Sequence, residues 1–274
     1  MAASSENNEY LLGCDTDELH RLGFQHRVWG EASHALWHRA QFAPGQQLLD
    51  VGCGPGYATI DLAHIVGEEG RIVAIDESPR FLNHLRNETE RASLSQVDVR
   101  EGQVESIELE PATYDGAYAR WIFCFLSQPT QLIEHLAKAL KPGASLAIVD
   151  YYHYRALTLA PRGPALDRAV HAVFDSWTQS GGNLEIGGVL PQLLEERGFE
   201  VEHIDTLIES ARPDSLLWHW PRRFFFGYIP RLIEMGLLTE DDRQQFEDEW
   251  LQREKTPGAF LLTPPMVEIV ARRR

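Results

Sequence analysis

Cysteine is scarce in this chain: only Cys14, Cys53 and Cys124 carry thiols in 274 residues, far apart and without metal-ligand spacing. That pattern suits a reducing, cytoplasmic setting and leaves no metal site to expect. No apolar run is long enough to span a bilayer. The polar segment Met1 to Glu9 lacks an apolar core, so a frayed tail is expected there and not a signal peptide. Positive charge is short as well: 25 Lys and Arg stand against 41 Asp and Glu, a net charge of -16. Such a surface repels nucleic acid and anionic lipid at long range, so neither is expected as a partner. The Arg272-Arg273-Arg274 end is read as a short solvated terminus. Internal repeats and low-complexity tracts are absent too. What is present is enough apolar content, 43%, for a full core in one large domain or a domain with a sizeable insertion.

The most informative stretch is Leu48-Leu49-Asp50-Val51-Gly52-Cys53-Gly54-Pro55-Gly56. An apolar run ending in glycines is a buried strand followed by a tight turn. Glycine lets a ligand approach the backbone with no Cβ in the way. A second apolar run, Ile72-Val73-Ala74-Ile75, ends at Asp76, 20 residues after Gly56. A carboxylate there can accept hydrogen bonds from two ribose hydroxyls. A dinucleotide fingerprint needs G-x-G-x-x-G, yet the third glycine would fall at Tyr57 or Thr59. Asp50 would also repel a pyrophosphate and suits a ligand carrying positive charge. An NAD-dependent oxidoreductase is therefore a poor fit.

Strand and helix patterns alternate: strands over 48–52, 71–76, 97–101, 114–119 and 144–150, helices over 57–67, 79–92 and 130–140. This predicts a parallel sheet with helices on both faces. Asp15-Thr16-Asp17-Glu18 reads as a helix start, followed by helical spacing of Leu19, Leu22, Val28, Trp29, Leu36 and Trp37. Beyond Asp150 the pattern predicts a helix from Pro164 to Gln179, another from Ile186 to Arg197, and a strand from Phe199 to Ile204. It adds a helix capped by Thr239 and a last strand from Val267 to Ala271.

Asp50 to Gly56 resembles the first motif of the class I S-adenosylmethionine (SAM) dependent methyltransferases, and Asp76 the acidic residue of their second. Tyr114 to Arg120 looks like the family's fourth strand, and Leu140-Lys141-Pro142-Gly143 like the turn before its fifth. The resemblance covers residues 45 to 150 well and is nearest to the quinone-biosynthesis-like, small-molecule branch. It implies an α/β, Rossmann-like, seven-stranded, mostly parallel sheet with an antiparallel last strand. N-terminal helices and a helical lid are implied too. Residues 1–44 would form a helical segment contributing to the lid. Residues 45–274 would form the SAM-binding domain, with lid insertions at about 151–185 and 208–255.

The resemblance also implies site roles. Asp50, Gly52, Cys53, Gly54 and Gly56 would line the methionine half of SAM, and Asp76, with Glu77 assisting, its ribose. Gln103 and Val104 would meet the adenine; the family often has aspartate where Gln103 stands, and an amide oxygen can still accept from the adenine amine. Arg120 would lie beside the methionine. Arg21 and Gln25, four apart on one helix face, would meet the SAM carboxylate. Tyr151, Tyr152 and His153 follow the fifth strand and are the candidate acids or bases. His171 is read as structural or solvated, Arg222 and Arg223 as surface charge, and the aromatics of 218–228 mostly as packing. The Asn/Asp-Pro-Pro-Tyr/Phe motif of base methylation is absent after strand four, where Arg120-Trp121-Ile122-Phe123 stands. The expected activity is methyl transfer to a small molecule at O, N or C, by a monomer or homodimer. The rivals are a protein methyltransferase and a non-catalytic SAM-binding protein.

Overall fold

The computed structural model describes residues 12–13 and 16–274; the expected tail, Cys14 and Asp15 lie outside the described residues. A first helix, α1 (Thr16–Arg39), precedes a chain that alternates β1 (Gln47–Val51), α2 (Tyr57–Val66), β2 (Arg71–Asp76), α3 (Pro79–Arg91) and β3 (Val97–Glu101). It continues through β4 (Tyr114–Arg120), α4 (Pro129–Ala139) and β5 (Leu140–Tyr151). Every residue of β1 after Gln47 is buried, as are Ile72 to Ile75 in β2. Successive side chains of a strand face opposite sides, so unbroken burial means that both faces of the sheet are covered.

The main sheet has seven strands in the order β3-β2-β1-β4-β5-β10-β7, where β7 is Phe199–Leu207 and β10 is Met266–Arg273. The first five pair in parallel; β10 runs antiparallel to both β5 and β7. The expected fold is thus present. The order reverses between β1 and β4, and that is where open sheets of this kind open a crevice at their carboxyl ends.

Several boundaries differ from the sequence reading. β5 already begins at Leu140, before Pro142-Gly143, with a register irregularity opposite Tyr114 to Gly116. The helix expected over 186–197 is a single 3-10 turn, Ile186–Gly188, then a short α6 (Leu190–Glu195). The arginine end is no free tail: Arg272 pairs with Glu202 at 2.9 Å, and Arg273 donates to the carbonyls of Ala137 and Gly198.

The additional helices form one cover. They are α5 (Pro164–Gln179), α7 (His219–Glu234) and α8 (Glu240–Glu254). Thr239 caps α8 reciprocally with Asp242, a capping box. A second, antiparallel sheet of β6 (Thr158–Ala160), β9 (Phe260–Leu262) and β8 (Ser210–Ala211) ties the cover together.

Candidate active site

The glycine turn after β1 has the strain that only glycine tolerates: φ is +67° at Gly52, +53° at Gly54 and +85° at Gly56. The three glycines serve different ends. A Cβ on Gly52 would strike Ile122 and one on Gly56 would strike Leu85, whereas one on Gly54 would meet nothing within 4 Å. Gly54 therefore fronts open space, and Gly56, the residue before α2, fronts the core. The turn is pinned by Asp76, whose Oδ2 accepts from the Gly54 amide at 2.8 Å and Oδ1 from the Ser78 amide at 2.9 Å. Burial pushes the Asp76 carboxyl up, and these two amide hydrogen bonds oppose it.

Asp50 is buried at the end of β1 and accepts from the Thr59 hydroxyl at 2.6 Å. Burial raises its pKa to about 6, against the pull of Thr59 and the nearby Arg120. Arg120 is held from two sides: it donates to Ser33 Oγ at 2.9 Å and meets His26 Nδ1 at 3.1 Å. A guanidinium only donates, so His26 Nδ1 accepts and its proton sits on Nε2, 3.0 Å from Asp61 Oδ2. On α1, Arg21 bonds both oxygens of Glu18, and its Nη1 donates to Gln25 Oε1 at 3.0 Å.

Asp50, Asp76, Arg120, Arg21 and Gln25 line one cavity of about 240 Å³. It gathers Arg21, Gln25, Asp50, Gly52, Cys53 and Gly54, together with Asp76, Glu77, Gln103, Val104, Arg120 and Tyr151. Gly56, Tyr152 and His153 do not line it. Tyr152 is 49% exposed, and His153 points to Glu185 at 3.2 Å. The physical cause is local: the amides of both residues donate to the Pro265 carbonyl, at 3.0 and 3.1 Å, which turns the chain away. Neither can act as a base on a molecule in the cavity. Tyr151 does line it, but burial pushes its phenol well above the ordinary value, which removes it as a base too. His171 bonds the Asp167 carbonyl, Arg222 pairs with Glu254, and Arg223 lies over the Phe24 ring, all away from the cavity.

The sequence reading missed Tyr154 and Trp177, which both line the cavity, and underused Trp121. Trp121 has φ +52°, an unusual conformation for a large side chain, and lines the cavity. Its position directly after Arg120 was the available signal. Tyr154 and Trp177 offered none, because one sits on a 3-10 turn and the other on an amphipathic helix like any core residue.

The arrangement defines a class: a doubly wound α/β protein with a cavity at its switch point, acid-ended on both β1 and β2. The comparisons narrow it. Residues 48–143 match the family model described as a methyltransferase domain. Over 218 residues the chain is 29% identical to the methyltransferase phqN of Penicillium fellutanum, covering 75% of this chain and 61% of that protein. The fold is similar to that of a putative methyltransferase from Bacillus halodurans, with TM-score 0.61 and 19% identity over 87% of this chain and 97% of that one. It is also similar to a geranyl diphosphate C-methyltransferase from Streptomyces coelicolor solved with S-adenosyl-L-homocysteine, with TM-score 0.60 and 14% identity over 91% and 77%. Residues 48–143 thus carry a methyltransferase domain, the chain around them has the fold of the methyltransferases compared, and S-adenosylmethionine is the cofactor that this domain implies. It spans about six tenths of the length of the first curated relatives that it matches.

The residues present fit that cofactor. Gly54 leaves a cradle that a side chain would occupy. Asp76 keeps lone pairs for two hydroxyls after its two amide bonds, and Asp50 is an ionisable partner for positive charge. Among the described residues no cluster could hold a metal ion.

Proposed function

We propose that this protein moves a methyl group from S-adenosylmethionine to a small-molecule acceptor enclosed beneath α1, α5 and α7. The observation that carries this reading is the single cavity that runs from the glycine turn and Asp76 to an aromatic-walled chamber. The cofactor would supply a methyl group on a positively charged sulfur, already a good leaving group. The chain's own work is to hold, orient and exclude water. Asp76 would accept from the ribose hydroxyls, Gln103 and Val104 would meet the adenine, and Asp50 and Arg120 would flank the methionyl end. Arg21 and Gln25 would close the site from α1. Orientation of this kind supplies on the order of 7–11 kcal/mol at best.

The described part of residues 1–44 and the segments at about 151–185 and 208–255 are assigned as the lid. A roofed chamber disfavours a protein side chain as acceptor, and the charge of -16 disfavours nucleic acid. Two cysteines, Cys53 and Cys124, are free and buried, which suits a reducing, cytoplasmic setting for a monomer or homodimer. No helix among the described residues is long and apolar enough to cross a membrane. The test is isothermal titration with SAM, S-adenosylhomocysteine and NAD in parallel. Micromolar binding of both sulfur ligands and none of NAD is expected; failure of both sulfur ligands would withdraw the proposal.

A further inference from the structure

Away from the glycine turn the cavity is walled by rings. Trp121 lies 6.1 Å from Trp220 at 22° and 6.3 Å from Tyr151 at 24°, stacked with each of them. Tyr154 stands edge-on to Tyr151 at 5.1 Å, and Trp177 and Phe224, 6.4 Å apart, make the far wall. Walls of this kind favour a flat, polarisable molecule.

The polar groups of this chamber share one character. The acids that line the cavity, Asp50, Asp76, Glu77 and Glu105, all lie at or just beyond the ends of β1, β2 and β3, on the cofactor side. Around the rings, the described lining holds no carboxylate, imidazole, amine or thiol. Gln25 Oε1 already accepts from Arg21 and, at 2.8 Å, from the Trp220 indole, so its amide N–H groups are what it can offer. The hydroxyls of Tyr151 and Tyr154 bond no other described residue. Burial pushes both phenols above their ordinary value, which keeps them protonated, and the charge of Arg21 acts on both. Glu18, the acid nearest Arg21, has both oxygens engaged by it at 2.6 and 2.7 Å. Hydrogen-bond donors and a guanidinium thus line one chamber, around whose rings the described lining offers nothing to take a proton. A neutral hydroxyl would keep its proton there, and an ammonium would meet donors only. An oxyanion suits both features.

We propose that the methyl acceptor is a flat aromatic or conjugated molecule bound as its phenolate or enolate, with the oxygen held by Tyr151, Tyr154 and Gln25 beside Arg21. This rests on the methyltransferase reading above. The step balances without a protein base. The acceptor sheds its proton to solvent before binding. Its electron pair forms the bond to the methyl carbon, and the pair of the breaking carbon–sulfur bond stays on sulfur. The negative charge of the acceptor and the positive charge of the sulfonium cancel.

The test uses the full chain saturated with S-adenosylhomocysteine and three probes: 4-nitro-1-naphthol, 1-nitronaphthalene and 1-naphthylmethylamine. The phenolate of the first absorbs at longer wavelength than the phenol, so its spectrum reads the ionisation state of the bound probe. Binding is expected to lower the ionisation midpoint by about one pH unit or more, a tenfold preference for the anion. The neutral probe should bind about tenfold more weakly at neutral pH, and the ammonium most weakly. Tyr151→Phe and Tyr154→Phe should each diminish the midpoint shift and leave 1-nitronaphthalene affinity unchanged, because the ring volume is kept. An unshifted or raised midpoint, tighter binding of the ammonium, or no binding of any probe would overturn the proposal. Titration of S-adenosylhomocysteine into the same preparation separates the two failures. If it binds, only the acceptor assignment falls; if it does not, the methyltransferase reading falls with it.

Discussion

Asp76 holds the glycine turn and is assigned to hold the ribose. Its oxygens accept from Gly54 and Ser78, and an ionised carboxylate has about four lone-pair sites, so two remain for hydroxyl donors. Asp76→Ala removes those acceptors and frees the turn at once. Two lost charge-assisted bonds at about 1.5–3 kcal/mol each predict SAM affinity at least a hundredfold lower by titration calorimetry. Unchanged affinity would sink the ribose assignment.

Asp50 makes a different prediction, because burial holds its pKa near about 6. A bound cation favours the ionised form, so SAM affinity should climb as pH rises through about 6 and then level off. Asp50→Asn, which keeps an acceptor for the Thr59 hydroxyl, should flatten that profile. Stability runs the other way. A carboxyl whose folded pKa is raised stabilises the fold below its unfolded value of 3.8, and that contribution is lost as pH rises through about 6. Relative to the parent chain, Asp50→Asn should therefore gain on the order of 3 kcal/mol between pH 4 and 7.5 in urea titrations without cofactor. A pH-independent difference would mean that Asp50 ionises freely in the folded chain.

At the scale of elements, the glycine turn separates folding from binding. Gly56→Ala combines a left-handed backbone, about 1–2 kcal/mol, with a collision against Leu85, so it should destabilise by more than 2 kcal/mol in chemical denaturation. Gly54→Ala has the backbone term alone, since its Cβ meets nothing. It should stay folded and lose cofactor affinity, because the new methyl group enters the cradle. Equal losses of stability in the two variants would contradict the division.

The elements that the sequence disclosed were those with local signatures. β1 and β2 read clearly because sheets covered on both faces demand unbroken apolar runs, and α8 because its capping box is a short-range motif. α1 was legible from spacing, and Gly23 and Gly30 inside it did not break it. The β6-β9-β8 sheet was illegible: its strands are two or three residues long and pair only with strands distant in the chain, as Leu159 and Ala211 both do with Leu261. Most of the cofactor side was visible for the same local reason, in glycines and acids at strand ends. The acceptor side was not, because proximity to β5 in sequence suggested His153 and Tyr152. A long-range bond from their amides to Pro265 swings both outward and leaves Tyr154 in the cavity.

For the whole molecule, the question is how the cover moves with the site. The two halves of α1 rest on different parts of the molecule. Its C-terminal half buries Leu36 and Trp37 in the main core, with Trp37 edge-on to Tyr118 at 5.2 Å. Its N-terminal half lies over the cavity, where its buried Phe24 and Trp29 pack against Arg223 and Trp220 of α7, and polar ties fasten it further: Tyr57 to the Leu19 carbonyl at 3.1 Å, Trp220 to Gln25 at 2.8 Å and His26 to Asp61 at 3.0 Å. Polar ties at a wet cavity each contribute only about 0.5–1.5 kcal/mol net, so this half should open locally while the other stays closed. A ligand that contacts Arg21 and Gln25 binds the closed form alone, and by mass action it lowers the open population in proportion to its saturation. Amide exchange over residues 16–29 should therefore slow at least tenfold with saturating S-adenosylhomocysteine and 4-nitro-1-naphthol together. Exchange over 33–39, governed by opening of the core, should change far less. Protection confined to the glycine turn, with α1 unaffected, would show that the first helix is fixed scaffold and that α7 alone gates the chamber.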